Sequence, residues 1–234
     1  MIKMVVSSFF NTLINEEEAI PSSTMLEIDR IRNKGVVFSI CTNRLAKEVL
    51  DYNRDFPFID YIVSLNGSCI YDVEKKKFFS KSKLSIANIK KLSNIFQDYK
   101  MTYYTEENAY SNLDDVKDQD IYKIEVEMKT EEDQKKIEKL TITSSVFCWN
   151  NKKYLEITSN RSSMFTGVDQ VSLKLGISLK EIVTICANES EYALAKNIDK
   201  SYIVKNGCDL LKKTTKKITK SNEEKGVELI LKKV

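Results

Sequence analysis

The sequence predicts an α/β protein with a largely parallel sheet and a smaller α+β segment inserted in mid-chain. Short, continuous apolar runs alternate with stretches whose apolar residues recur at helical spacing, which is typical of βαβ units. Between residues 84 and 158 the strands alternate apolar and polar residues instead, as half-buried strands do. At 234 residues the chain is long enough for a core domain with a small insert.

The N-terminal part is expected to contain three buried strands separated by helices, followed by a hairpin. Gly35 ends the first helix, and Asn66-Gly67 makes a turn after the third strand. These elements are, in order, strand Lys3–Ser7, helix Thr24–Asn33, strand Val36–Cys41, helix Leu45–Asn53, strand Tyr61–Leu65, and the hairpin of Ser68–Tyr71 with Lys77–Phe79.

The insert is expected to have its own sheet, and the parallel pattern resumes after about Thr158. Its elements are helix Leu84–Tyr99, strands Met101–Thr105, Tyr122–Met128, Thr143–Trp149 and Lys153–Ile157, and a polar helix Thr130–Leu140. Helix Thr166–Leu175, strand Glu181–Cys186, helix Glu189–Asn197, strand Ser201–Val204 and helix Gly226–Lys233 follow. We therefore predict a core of residues 1–83 and 159–234 and an insert of residues 84–158.

Composition excludes several classes of function. The chain has no histidine, so Ser-His-Asp triads and histidine metal sites are excluded. Lys and Arg number 37 against 34 Asp and Glu, a balance that argues against a nucleic-acid partner. No apolar run reaches the ~18 residues of a membrane span, so we expect no membrane partner. The five cysteines form no C-x-x-C pair, which is typical of reduced thiols, and we expect a cytoplasmic protein.

Polar segments follow several of the predicted strands. Six segments of the chain occur in an order and at a spacing that are typical of a known family. They are Ser8-Phe9-Phe10-Asn11-Thr12-Leu13, Ile40-Cys41-Thr42-Asn43-Arg44, Ser64-Leu65-Asn66-Gly67-Ser68, Leu155-Glu156-Ile157 with Ser163-Met164-Phe165-Thr166, Val183-Thr184-Ile185-Cys186-Ala187-Asn188-Glu189-Ser190-Glu191, and Thr219-Lys220-Ser221-Asn222-Glu223-Glu224-Lys225-Gly226-Val227. In this order and spacing the chain resembles the haloacid dehalogenase (HAD) superfamily, in its Cof-type sugar-phosphatase branch.

The resemblance implies a HAD-like, Rossmannoid core, an inserted cap, and a ligand site in the cleft between them. It also implies Mg²⁺-dependent phosphate hydrolysis, but the chain departs from the family at each main catalytic position. Ser8 stands for the nucleophilic Asp, Phe10 for the acid/base Asp, Met164 for the Lys and Ala187 for a metal-binding Asp. These departures leave no intact catalytic set and remove most of the Mg²⁺ ligands, with Glu191 as a partial survivor, so we expect no cofactor.

Other positions of the family pattern keep polar or turn-forming residues. The candidate ligand-binding residues are Ser8, Asn11, Thr42, Asn43, Asn66, Gly67, Asn188 and Glu191. Phe10, Met164 and Phe165 together would make the former phosphate pocket apolar, either as a filled-in core or as a pocket for an uncharged ligand. Cys41 and Cys186 fall at strand ends, where we expect buried, unreactive thiols because no histidine or evident cation would lower their pKa.

Three functions stay open from the sequence. The favoured one is a catalytically degenerate, phosphatase-like protein that binds a small molecule, such as a phosphorylated metabolite, or a protein. The second is an active hydrolase that uses a different residue set, with Ser8 and Glu191. The third is a structural or interaction subunit. The sequence leaves enzymatic activity, ligand and oligomeric state open.

Overall fold

The chain forms two separate sheets in a computed structural model, which describes residues 1–54 and 57–234. The first sheet has seven strands: β1 (Met4–Ser8), β2 (Val37–Cys41), β3 (Tyr61–Ser64), β4 (Cys69–Asp72), β5 (Lys77–Lys81), β11 (Ile182–Cys186) and β12 (Ser201–Ile203). The second has five: β6 (Met101–Tyr104), β7 (Ala109–Tyr110), β8 (Lys123–Glu127), β9 (Ile142–Trp149) and β10 (Lys152–Ser159).

The seven-stranded sheet is parallel over most of its width. Its order is β12-β11-β1-β2-β3-β4-β5, with parallel pairing from β12 to β3 and antiparallel pairing of β3, β4 and β5. This arrangement confirms the predicted parallel core and its hairpin. Strand β1 lies in the middle of the five parallel strands, so its carboxyl end meets those of β2 and β11 at one edge of the sheet.

Helices pack on both faces of this sheet because alternate side chains of its strands point to opposite sides. Val5 belongs to one buried cluster, whereas Met4 and Val6 belong to the other. These helices are α1 (Ser22–Arg32), α2 (Ala46–Leu50), α4 (Met164–Leu175), α5 (Tyr192–Asn197), α6 (Asp209–Lys212) and α7 (Gly226–Leu231). Helix α3 (Ile86–Ile95) packs on the second sheet instead. Of the helices in the described ranges, none has the length and apolar character that crossing a membrane requires.

The five-stranded sheet is fully antiparallel, in the order β7-β6-β8-β10-β9. Ile124 and Val126 of β8 face α3 and form a hydrophobic cluster with Leu155 and Ile157 of β10. Lys123 and Glu125 of β8 point to the opposite face, since side chains alternate along a strand. We call this second sheet with its helices the cap; the boundaries at residues 84 and 158 stay a prediction.

The structure differs from the expected elements mainly in the cap. Thr130–Leu140 is not an α-helix but a 3-10 helix over Glu131–Ile137. The carboxylate of Asp133 accepts hydrogen bonds from the backbone N–H groups of Lys129 and Thr130, which ties the segment to its own start.

Smaller differences concern element ends and short elements. Glu189–Asn197 begins as a 3-10 turn, Glu189–Glu191, before α5. The first cap helix begins only after Ser85, whose side chain caps it. Strand β7 and helix α6 were not predicted, since two and four residues carry no readable period.

Gly67, in the turn after β3, packs against the start of α4. Its φ is +86°, and a Cβ built there would lie 2.0 Å from the carbonyl oxygen of Ser163. Gly35 also has a positive φ, +82°, but nothing lies within 4 Å of its Cβ position. Gly67 therefore needs both its backbone freedom and its missing side chain, whereas Gly35 needs only the first.

We expect Gly67→Ala to destabilise the fold more than Gly35→Ala. Both substitutions place alanine at positive φ, which costs roughly 1–2 kcal/mol. Only Gly67→Ala adds a backbone clash, for which overpacking data suggest about 1–3 kcal/mol more. Urea denaturation of both variants tests this, and equal losses of unfolding free energy would show that the contact with Ser163 is not rigid.

Candidate functional site

The candidate site lies at the edge where the parallel strands end. In register, Ser8 at the end of β1 is opposite Cys41 of β2, and Ser7 is opposite Ile185 of β11. The loops that follow β2, β3 and β11 leave the sheet at the same edge. Ligands of open parallel sheets bind at this edge. The sequence predicts the ligand site of this protein at the same place.

Ser8, Asn188 and Glu191 form one buried hydrogen-bond network. The Ser8 hydroxyl donates to Oε1 of Glu191 at 2.6 Å. The side-chain amide of Asn188 donates to the same Oε1 at 3.2 Å and to the Ser8 hydroxyl at 3.5 Å. Ser8 and Glu191 are each only 1% exposed. The structure therefore brings these three predicted residues together, away from bulk water.

The backbone after β11 holds the other oxygen of the same carboxylate. The N–H groups of Ala187 and Asn188 donate to Oε2 of Glu191 at 2.7 and 3.0 Å. Burial raises the pKa of Glu191 above its ordinary value, and these hydrogen bonds, which favour the charged form, only partly oppose the shift. The carboxylate thus lies in a dry place with hydrogen-bond donors as its partners.

The residues at this edge do not fit the Mg²⁺ that the resemblance implies. Mg²⁺ requires oxygen ligands in octahedral geometry. Both oxygens of Glu191 already accept two hydrogen bonds each, and Ala187 offers a methyl group where the family has a carboxylate. Within residues 1–54 and 57–234 there is no group of three or more His, Cys, Asp or Glu side chains that could hold a metal ion.

Met164 and Phe10 lie in different hydrophobic clusters, so they do not line one apolar pocket. Met164 is completely buried in the cluster that contains Val63 and Val168. Phe10 packs against the opposite cluster and is covered by the Arg44 guanidinium, whose carbon lies 3.8 Å from the ring centre. Met164 is thus part of the core, and Phe10 faces the cap side of the site.

Three other candidate residues have local partners. The Thr42 hydroxyl accepts a hydrogen bond from the Arg44 backbone N–H at 3.1 Å and is 3% exposed as a residue. Asn11 is exposed at a positive φ of 61°, and its carbonyl accepts from Asn206. Gly67 has the packing role described above. None of the three takes part in the Ser8 network.

The cysteines near the site are buried, as expected. Cys41 and Cys186 flank Ser8 on neighbouring strands and are fully buried. Burial, followed by the nearby Glu191 carboxylate, raises the pKa of both thiols well above the ordinary value. Both therefore stay protonated and are poor nucleophiles.

A second buried polar cluster joins the cap to the core. Lys123 and Glu156 of the cap are each 1% exposed and lie 2.9 Å apart. Asn43 and Asn66 of the core donate their side-chain amides to the two oxygens of Glu156 at 2.9 and 3.1 Å. Two predicted ligand-binding residues thus bind a carboxylate of the protein itself.

A cavity of about 370 Å³ lies beside this cluster, between the cap sheet and the loop after β2. The core contributes Asn43, Arg44 and Glu48 to its lining. The cap contributes Lys100, Thr102, Tyr104, Lys123, Glu125, Glu127, Phe147, Trp149 and Tyr154. Arg44 bridges the two halves, since its guanidinium also lies 5.2 Å from the Trp149 ring.

The cap residues of this site were missed from the sequence. Lys123, Glu125 and Glu127 alternate with buried Ile124 and Val126. We interpreted this alternation as that of a half-buried strand, whose charged side faces water. The available signal was a run of three charged residues on one strand face. That pattern cannot tell a solvated face from one that another domain covers.

Comparison with known proteins places this geometry in a family. The model of the haloacid dehalogenase-like hydrolases matches residues 11–144 and 100–231. The chain is 22% identical over 241 residues to 5-amino-6-(5-phospho-D-ribitylamino)uracil phosphatase of Bacillus subtilis, covering 97% of this chain and 93% of that protein.

Solved structures agree with this assignment at the level of the fold. A haloacid dehalogenase-like hydrolase from B. subtilis superposes with a TM-score of 0.90 at 14% identity, covering 99% of both chains. A HAD subclass IIB sugar phosphatase has a TM-score of 0.84 at 16% identity, covering 99% of this chain and 98% of that one. The chain therefore belongs to the haloacid dehalogenase-like hydrolase family, in its Cof-type branch.

Proposed function

We propose that this protein is a catalytically degenerate member of its family, which binds a small molecule in the cavity between cap and core. The observation that carries the proposal is the hydrogen-bond network of Ser8, Asn188 and Glu191. In this network a hydroxyl and backbone N–H groups take the positions around the carboxylate that a metal ion would need.

The lost reaction needs groups that this chain lacks. Phosphoryl transfer depends on a placed nucleophile and on positive charge that neutralises the phosphate. The Ser8 hydroxyl is buried and already bound to Glu191, Phe10 cannot transfer a proton, and Met164 carries no charge. Among the residues that the structure describes at this edge, none replaces all three functions.

The charges around the cavity favour a ligand of low net charge. Its lining carries three cations, Arg44, Lys100 and Lys123, against three carboxylates, Glu48, Glu125 and Glu127. Lys123, the buried cation, already donates to three acceptors. A phosphorylated metabolite, which the resemblance implies, would meet this balanced lining with two negative charges of its own. The aromatic rings of Phe147, Trp149 and Tyr154 favour a ligand with a flat apolar part.

A second candidate is an active hydrolase that uses Ser8 as nucleophile and Glu191 as base. The hydrogen bond of 2.6 Å between them favours it, as does the raised pKa of Glu191, which strengthens a carboxylate as a base. The burial of Ser8 opposes it, because a substrate cannot reach the hydroxyl of a residue that is 1% exposed unless the surrounding residues move.

We expect no Mg²⁺-dependent turnover of an aryl phosphate or of a panel of sugar phosphates by the purified protein, because its charge-neutralising groups are missing. The measurement is phosphate release with and without Mg²⁺, beside the Ser8→Ala variant. Turnover that requires Mg²⁺ and disappears in Ser8→Ala would refute the degenerate site. Turnover that is equal in both proteins would indicate a contaminant.

Isothermal titration with phosphorylated and unphosphorylated polar aromatics then tests binding in the cavity.

We also expect the wild-type protein to lose more stability than Glu191→Gln as pH rises from 5 to 8. The pKa of Glu191 is raised in the folded state from 4.5, so above that value the unfolded chain releases the proton first. Unfolding is then favoured, by about 1.4 kcal/mol for each unit of pKa elevation, until the pH passes the folded pKa. Urea denaturation at several pH values measures the difference.

The same titration in Mg²⁺ tests the absence of a metal site. We expect the pH dependence to be unchanged by Mg²⁺ at constant ionic strength. A bound cation would stabilise the ionised carboxylate and lower its pKa, so a pH dependence that Mg²⁺ abolishes in the wild type but not in Glu191→Gln would show that metal binds at Glu191.

A further inference from the structure

Glu156 makes more hydrogen bonds than its ion pair requires. Its Oε1 accepts from the Asn43 amide at 2.9 Å and from Lys123 Nζ at 2.9 Å. Its Oε2 accepts from the Asn66 amide at 3.1 Å and from the Ser145 hydroxyl at 3.3 Å. Each oxygen therefore has two donors, which is a complete set for a carboxylate removed from water.

The four donors come from both halves of the molecule. Asn43 and Asn66 follow β2 and β3 of the core, whereas Lys123 and Ser145 belong to β8 and β9 of the cap. Lys123 also donates to the carbonyl oxygen of Asn43 at 2.8 Å, which ties the cap lysine to the core backbone. The cradle is complete only when the cap lies against the core.

Electrostatics explains why the lysine stays charged there. Burial by itself would lower the pKa of Lys123, but the carboxylates of Glu156 and Glu125 outweigh it and raise that pKa. Glu125 lies 3.3 Å from Lys123 Nζ and takes only one further hydrogen bond, from Tyr104. Glu156 is therefore the principal counter-ion.

We propose that Asn43, Asn66, Ser145 and Lys123 form a carboxylate-binding site that Glu156 occupies as a ligand within the chain. The site has the composition of an anion receptor: two amides, a hydroxyl and an ammonium group around one bidentate acceptor. Its occupant, Glu156, holds the cap against the core. This inference holds whether or not the protein is an active hydrolase.

Neighbouring contacts extend the same closed interface. The backbone N–H of Val146 in β9 donates to Glu189 of the core at 3.2 Å. Cys69 of the core is fully buried in a cluster that includes Tyr122, next to β8. Separation of the cap would remove Tyr122 and expose this thiol, so Cys69 reports cap opening.

The experiment empties the site and refills it with acetate, which matches the carboxylate and methylene group that Glu156→Ala removes. We expect Glu156→Ala to lower Tm by roughly 10 °C. Acetate binding with a dissociation constant on the order of 10 mM would then raise that Tm by roughly 3–6 °C at 100 mM. Sodium chloride of equal ionic strength should not.

Iodoacetamide labelling followed by mass spectrometry supplies the second readout. We expect Cys69 in Glu156→Ala to label at least several-fold faster than in the wild type, and acetate to reverse the increase. Cys186, which packs among core residues, is the internal reference for global unfolding. Glu125→Ala is the matched control, since it removes another carboxylate from Lys123 but leaves the cradle filled.

An equal response to acetate in Glu156→Ala, Glu125→Ala and the wild type would overturn the proposal, as would no response in Glu156→Ala. If Glu156→Ala folds only in acetate, the proposal is supported. If it folds in neither salt, Glu156→Gln decides: this variant keeps the site filled but uncharged, and an unchanged Cys69 labelling rate there would overturn the proposal.

Discussion

Burial of the Glu156 carboxylate at the junction of cap and core is the interaction on which the closed form depends. A carboxylate that leaves water loses its hydration and must regain hydrogen bonds and positive charge from the protein. Here Lys123 supplies the charge, and the amides of Asn43 and Asn66 complete the shell from the other half of the molecule. Because these groups meet only across the interface, the relative position of the two sheets is specified by a requirement of charge and hydrogen bonding as well as by apolar packing.

The Glu191 carboxylate at the strand ends has also lost its hydration, but different groups compensate for that loss. No cation from the described residues contacts this carboxylate through an ion pair; a serine hydroxyl, an asparagine amide and two backbone N–H groups surround it. Burial raises the pKa of Glu191, whereas Lys123 gives Glu156 a charged partner. The two buried glutamates thus differ in the groups that compensate for their lost hydration. Glu191 at the strand ends has uncharged hydrogen-bond donors, whereas Glu156 at the interface of cap and core has a lysine as its ion-pair partner.

The surroundings of the catalytic positions and of the cavity differ in how accessible they are. The residues at the family's catalytic positions have become parts of the core, as Met164 has, or of a closed network, as Ser8 has. The accessible cavity lies instead against the cap sheet, with Arg44 stacked between Phe10 and Trp149. The aromatic rings and paired charges that line this cavity are therefore mostly on the cap side.

The fold class, the parallel core and the inserted cap were predictable from the order of the residues, because apolar period and turn residues are local signals. Ser8, Asn188 and Glu191 were named as candidates because of the resemblance to the family, and they meet because neighbouring parallel strands end at one edge of the sheet. The role of Lys123 and Glu156 was not predictable in this way. A charged side chain on an alternating strand has the same local pattern whether it faces water or another domain, and only the docking of the cap on the core decides between the two. The same reason explains Met164: whether a methionine at a helix start lines a pocket or fills a core depends on what packs around it in three dimensions.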